Sequence, residues 1–192
     1  MMESKTLKRA IATVNVDSYN DVLKNWFLRV QTEFPTQKDL RSYLTKEKVW
    51  IEDINILGKF HENGAESCVY KAYTEKEVYK VQLRGLLDSI MQAILYNRFF
   101  PESILSFVGF TDSPTFITGL VETQDDVRVV LKQQFFDGAH PDVFQEQQIH
   151  NIEMKGYGFG DKKYCVSDID SKNCIVIDQT FYVIDCCIKK RR

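Results

Sequence analysis

Three acids and an amide sit close together near the end of this chain: Asp168, Asp170, Asn173 and Asp185, within YCVSDIDSKNCIVIDQTFYVIDCCI. The runs at 173–177 and 181–184 are rich in β-branched and aromatic residues, and residues 178–180 between them predict a hairpin turn. Paired antiparallel, the runs bring Asn173, at the start of one, near Asp185, at the end of the other. Two converging oxygen donors suit Mg²⁺, which takes one or two protein oxygens and fills its octahedron with water and substrate phosphates. Asp168, five residues before Asn173, can then face a substrate hydroxyl, and the arrangement suggests phosphoryl transfer. Asp and Asn also populate turns for local hydrogen bonding alone, and D-x-x-x-x-N is short, so ordinary turn residues are the alternative.

Lys80 stands inside the apolar run Val78-Tyr79-Lys80-Val81 and points to the face opposite Tyr79 and Val81. Facing inward it needs an anionic partner; on an edge strand it would face water. The runs HENGAESCVYKAY and TEKEVYKVQL alternate apolar and polar residues as a twisted hairpin would, and Gly64 is read as interrupting the two strands at their turn. A backbone without a side chain can approach a phosphate there, although a single glycine is also an ordinary turn residue.

The elements that must hold these residues follow from periodicity. Apolar positions at three-to-four spacing from Val22 to Phe34 predict a helix capped at Asp17 or Ser18 and stopped by Pro35. Thr36 caps a second, carrying Leu40, Tyr43 and Leu44. From Trp50 the period becomes that of strands. Leu86, Leu87, Ile90, Met91, Ile94 and Leu95 then mark a helix running to Asn97 and ended by Pro101. Strands are expected at 104–110, 116–121 and 127–136, and a helix at 142–155, after the turn-rich segment 137–141.

The 192 residues allow one two-lobed domain, or one domain with an accessory segment, and a chain of this size buries roughly 70% of its unfolded surface without staples. A formal net charge of −2 gives no electrostatic reason to expect nucleic acid or an anionic membrane as partner. The final Lys189-Lys190-Arg191-Arg192 reads as a solvated basic tail. Five cysteines without C-x-x-C spacing argue against a zinc site or a disulfide framework and for reduced thiols. With no long apolar run for a signal peptide or a span, the expected location is cytoplasmic.

This order of elements, with these residues, resembles the protein-kinase-like fold. The segments GAESxVYK, VYKV, ILYNRFFPES, VGF and YVID are similar to the kinase domain found in polyvalent proteins of phages and conjugative elements, over roughly residues 54–188. The resemblance implies an α+β, two-lobed fold with a minimal C-terminal lobe and an N-terminal helical extension. Its parts would be residues 1–50 (accessory helices), 51–137 (N-lobe) and 138–192 (C-lobe). It implies a reduced glycine-rich loop, with Gly64, Ala65, Glu66, Ser67 and Val69 at the nucleotide and Lys80 on the α- and β-phosphates. Residues 135–139 would be the hinge beside the adenine. Asp168 would be the catalytic acid that receives the hydroxyl proton, and Asn173 and Asp185 the metal ligands. The cofactors implied are ATP and Mg²⁺.

The chain departs from the kinase pattern in places. Cys165-Val166-Ser167 stands where His and Arg usually precede the catalytic Asp, and Cys186-Cys187 follows Asp185 in place of Phe-Gly. The helix after Lys80 carries Asp88 and Asn97 but no glutamate at the expected depth. Seven residues of this sequence follow Asp185, so neither an activation segment nor a peptide-substrate platform is expected in it. The leading expectation is an ATP- and Mg²⁺-dependent kinase acting on a hydroxyl of a protein or other acceptor. The alternatives are a pseudokinase serving as a nucleotide-sensing or protein-interaction module, and a small-molecule kinase. Self-association, or a second chain completing the C-lobe, is a further expectation.

Overall fold

The computed structural model describes residues 33–34, 36–64, 66–114, 127–143, 145, 147 and 164–190. The helix expected over 17–34, the strand at 116–121, most of the helix at 142–155, Ala65 and the last two arginines lie outside them, apart from the ends of the first helix. Helices and strands are mixed, as the α+β expectation requires. The described residues fall into two compact units. One takes those up to Met91 with Ser106–Gln133; the other takes Gln92–Leu105 with those from Gln134 on.

In the first unit, α1 (Gln37–Lys46) starts where Thr36 caps it: the Thr36 hydroxyl accepts from the Asp39 N–H at 3.1 Å, satisfying one of the first turn's orphan donors. Leu40 and Leu44, one turn apart, form its buried side. The chain then runs beside a strand. The Ile51 N–H donates to the Phe110 carbonyl at 2.7 Å, and the Phe110 N–H to the Val49 carbonyl at 2.8 Å. Gly109 permits that approach, since a Cβ there would lie 2.5 Å from the Val49 carbonyl oxygen.

The strands β1 (Lys59–Asn63), β2 (Ser67–Lys71), β3 (Glu77–Gln82), β4 (Ser106–Thr111) and β5 (Arg128–Gln134) form one sheet in the order β1-β2-β3-β5-β4. Consecutive β1, β2 and β3 pair antiparallel, as do β4 and β5. The register sets Cys68 opposite Val81 and Val69 opposite Lys80. Strand alternation therefore sends Cys68, Tyr70 and Val81 to one face, where they pack with Leu57 and Val130 as an apolar core. Ser67, Val69, Val78, Lys80 and Gln82 share the other face and are buried as well. The chain enters β1 at Gly58, whose φ of +138° and whose Cβ position, 2.1 Å from the Lys71 carbonyl oxygen, admit glycine alone.

α2 (Leu86–Phe99) ends just before Pro101, two residues beyond the expected end. Ile90 and the run from Ala93 to Tyr96 are all buried, so the helix is covered on more than one side. The division between the compact units falls inside it.

The second unit carries β6 (Tyr164–Ser167) paired antiparallel with β9 (Cys187–Lys190), and β7 (Cys174–Ile177) paired antiparallel with β8 (Thr180–Val183). The expected hairpin is present with a shorter turn. Thr180 already pairs with Ile177, leaving a two-residue turn of Asp178 and Gln179 at φ 49° and 64°. Two left-handed central residues match the right-handed twist of the flanking strands better than a longer loop would. β6 and β9 were not expected, and Lys189 and Lys190 are strand residues with exposed side chains, where the sequence suggested a basic tail. Asp142 and Gln145 exchange bonds of 2.9 and 2.8 Å between side chain and backbone, the reciprocal box of a helix start. No helix among the described residues is long and apolar enough to cross a membrane.

Two substitutions test this packing. Gly58→Ala must push the new methyl into the Lys71 carbonyl from a left-handed backbone, and should cost about 3 kcal/mol in chemical denaturation. Tyr70 is 2% exposed and its hydroxyl meets no hydrogen-bond partner among the described residues, so burial pushes its pKa up to about 12. Tyr70→Phe removes an unpaired buried hydroxyl at constant shape. It should leave the melting temperature unchanged or raise it; a clear fall would mean that the hydroxyl is satisfied.

Candidate active site

The first unit supplies the candidate phosphate-binding residues. β3 lies between β2 and β5, so Lys80 sits on an interior strand, 7% exposed, which excludes the water-facing edge position. Its side chain leaves the sheet on the face opposite the apolar core, together with Val69 and Gln82. An ammonium buried this deeply needs polar or anionic company to remain charged.

The turn between β1 and β2 is closed by the Gly64 N–H, which donates to the Ser67 carbonyl at 2.9 Å. The Glu66 carboxylate, expected at the nucleotide, is paired with the Arg84 guanidinium. The Glu66 carbonyl also accepts from the Leu83 N–H at 2.8 Å, so this residue fastens the turn to the end of β3. Ser67 and Val69 are buried beside Lys80 on the same face.

The second unit supplies the candidate acids. β6 delivers the chain to Asp168, which is exposed and has a left-handed φ of 67°. Such a backbone is uncommon for a residue with a side chain, and Asp tolerates it better than most. Ile169, 3% exposed, anchors the loop. The Asp170 carboxylate then accepts from the Lys172 and Asn173 N–H groups at 2.9 and 3.0 Å and caps the short 3₁₀ turn Ser171–Asn173. Asp170 thus makes the bonds of a loop cap.

Asn173 joins the cluster together. Its side-chain Nδ2 donates to the Asp168 carbonyl at 2.8 Å. Its own carbonyl accepts from the Ile184 N–H at 2.8 Å and the Asp185 N–H at 3.4 Å. Because only the NH₂ end can bond a carbonyl, the Asn173 Oδ1 is the amide's remaining acceptor. The Asp185 Oδ1 accepts from the Cys186 N–H at 2.9 Å, which fixes that carboxylate and directs its second oxygen elsewhere. The convergence of Asn173 and Asp185 expected from hairpin pairing is present in the backbone.

An amide oxygen and one carboxylate oxygen are the hard donors that Mg²⁺ accepts when substrate phosphates and water complete its shell. Among the described residues no three His, Cys, Asp or Glu are placed to hold a metal ion. Oxygen donors of this kind are the chemistry of Mg²⁺ and differ from the thiolate and imidazole donors that softer metals prefer.

Several supporting residues gave no sequence signal. The His140 Nδ1 lies 2.8 Å from the Ser171 carbonyl and 3.0 Å from the Cys174 carbonyl. Two acceptors require that nitrogen to carry the proton, so His140 braces the turn from below. Gly138 lies against β7, where a Cβ would be 2.6 Å from the Val176 carbonyl oxygen, and the Val176 N–H donates to the Ala139 carbonyl at 2.8 Å. In the expected hinge, Phe136 stacks on Tyr182 with ring centroids 4.6 Å apart. Asn97 exchanges two 2.7 Å bonds with the Leu105 backbone.

Residues 35–192 match a family model described as serine/threonine/tyrosine kinase found in polyvalent proteins. The match starts well before residue 54 and takes in α1, which the sequence resemblance left outside. No curated protein matches the chain.

Cys174, fully buried behind the cluster, offers a pH test. Burial, and then the nearby Asp170 carboxylate, push its thiol up to about 11 from 9.0. The unfolded chain sheds this proton near pH 9 and the folded chain keeps it to about 11, so stability falls as pH rises across that window and is unaffected below it. The full effect is on the order of 2 kcal/mol. Urea denaturation at pH 8 and pH 10.5 should show a smaller loss for Cys174→Ala than for the wild type; equal losses would place the thiol in water.

Proposed function

This chain belongs to the serine/threonine/tyrosine kinase family found in polyvalent proteins, and from that premise we propose an ATP- and Mg²⁺-dependent phosphotransferase whose acceptor is a hydroxyl of a protein or another molecule. The reading is carried by Asn173, whose amide holds the Asp168 backbone while its carbonyl holds the Asp185 backbone. One candidate metal ligand thereby ties the candidate proton acceptor to the other.

In this reading Asp168 orients the acceptor hydroxyl and takes its proton as the oxygen attacks phosphorus. Its exposure suits it to meet a substrate that arrives from solvent. Asn173 and Asp185 hold Mg²⁺, which when bound neutralises charge on the nucleotide phosphates. Lys80 binds the α- and β-phosphates, and the backbone of the turn at Gly64, Ala65, Glu66, Ser67 and Val69 lies along the nucleotide. The pairing of Glu66 with Arg84 supports this role, because it neutralises a carboxylate that would otherwise repel phosphate. Catalysis comes mainly from positioning and charge stabilisation.

Transfer of radiolabelled phosphate from ATP to a cell lysate tests the proposal. Asp185→Asn and Lys80→Ala should abolish labelling, and Asp168→Asn should reduce it about 100-fold or more while nucleotide still stabilises the protein against heat. Full labelling by Asp185→Asn would refute the metal assignment. Stabilisation of the wild type by ATP and Mg²⁺ without any transfer would select the nucleotide-sensing module instead.

A further inference from the structure

The backbone on either side of Asp185 is gripped by side chains from α2 and the turn that follows it. Two residues before Asp185, the Val183 carbonyl accepts from the Tyr96 hydroxyl and, at 2.9 Å, from the Ser103 hydroxyl. The two hydroxyls are themselves 3.0 Å apart, closing a triangle of oxygens. Three residues after Asp185, the Gln92 side chain bonds both polar groups of Ile188: its Nε2 donates to the carbonyl at 2.7 Å, and its Oε1 accepts from the N–H at 3.1 Å. Gln92 thus acts as a one-residue strand on the side of β9 turned away from β6.

Gln92 and Tyr96 are four residues apart, on one side of α2. Tyr96 and Ser103 are 4% and 2% exposed, so removing their hydroxyls would leave a buried carbonyl unsatisfied. Apolar side chains could pack against these strands without the cost of burying amides and hydroxyls. What the polar groups add is direction: they fix the backbone at Val183 and Ile188, between which Asp185 is suspended. We infer that Gln92, Tyr96 and Ser103 are positioning residues for Asp185, setting where its carboxylate stands relative to Asn173 and hence how tightly a divalent cation is held. This rests on the reading of Asn173 and Asp185 as metal ligands.

Mn²⁺ binding to the full chain, followed by the electron paramagnetic resonance of the free ion with a non-hydrolysable ATP analogue present, tests the inference. Gln92→Met, and Tyr96→Phe combined with Ser103→Ala, should each weaken Mn²⁺ binding about 10-fold, as loss of an outer support does. Affinity for the analogue without metal should stay at the wild-type value, a split that general loss of structure would not give. Wild-type Mn²⁺ affinity in these variants, or an equal loss of metal-free analogue binding, overturns the inference. If Gln92→Met does not fold, the hydroxyl-free double variant, which keeps the packing, decides. Equal Mn²⁺ binding by the wild type and Asp185→Asn would remove the metal site itself, and the positioning role with it.

Discussion

Asn173 uses both of its polar ends to hold a loop that no sheet ladder supports. The amide donates to the Asp168 carbonyl and the main-chain carbonyl receives two N–H groups from the far end of the β7–β8 hairpin. The constraint behind this is that buried or half-buried backbone groups must find partners. Between β6 and β7 the chain turns too sharply for strand pairing, so side chains stand in: Asp170 caps from within and His140 braces from outside. Asp168 can hold a left-handed backbone because its neighbours leave it little alternative.

The sheet of the first unit solves a different problem. Lys80 is as buried as Val69 and Val78 on its own face, and the pleat keeps it away from the apolar core by sending it to the opposite face. The side that faces the core is filled with Cys68, Tyr70, Leu57, Val81 and Val130. Close approaches made possible by glycine recur in both units. Gly58 and Gly109 let other backbone pass in the first, and Gly138 lets the chain lie on β7 in the second.

Much of this was legible in the chain because it is written in short-range patterns. Two-residue alternation located β1 to β3, richness in β-branched and aromatic residues located β7 and β8, and Thr36 marked the start of α1. The turn at Asp178 was misjudged by one residue because only the left-handed backbone of Asp178 and Gln179, not their identity, decides that Thr180 can pair. β6 and β9 escaped because each is four residues long and is defined by a partner twenty or more positions away. Nothing in Tyr164-Cys165-Val166-Ser167 distinguishes a strand from a loop without that partner.

By itself the sequence determined the identity and order of the chemical groups: a lysine in an apolar strand, then D-x-x-x-x-N, then an acid after a hairpin. Those features are local, so residue type and spacing suffice to state them. Which of the acids serves as a cap, which end of the Asn173 amide is bonded to the Asp168 carbonyl and what grips the strands around Asp185 were settled only by tertiary structure. Gln92 and Asn97 are both polar residues on the same mostly apolar helix, and one holds Ile188 while the other holds Leu105. A side-chain hydrogen bond depends on where a distant backbone group comes to rest, and no spacing along the chain encodes that position.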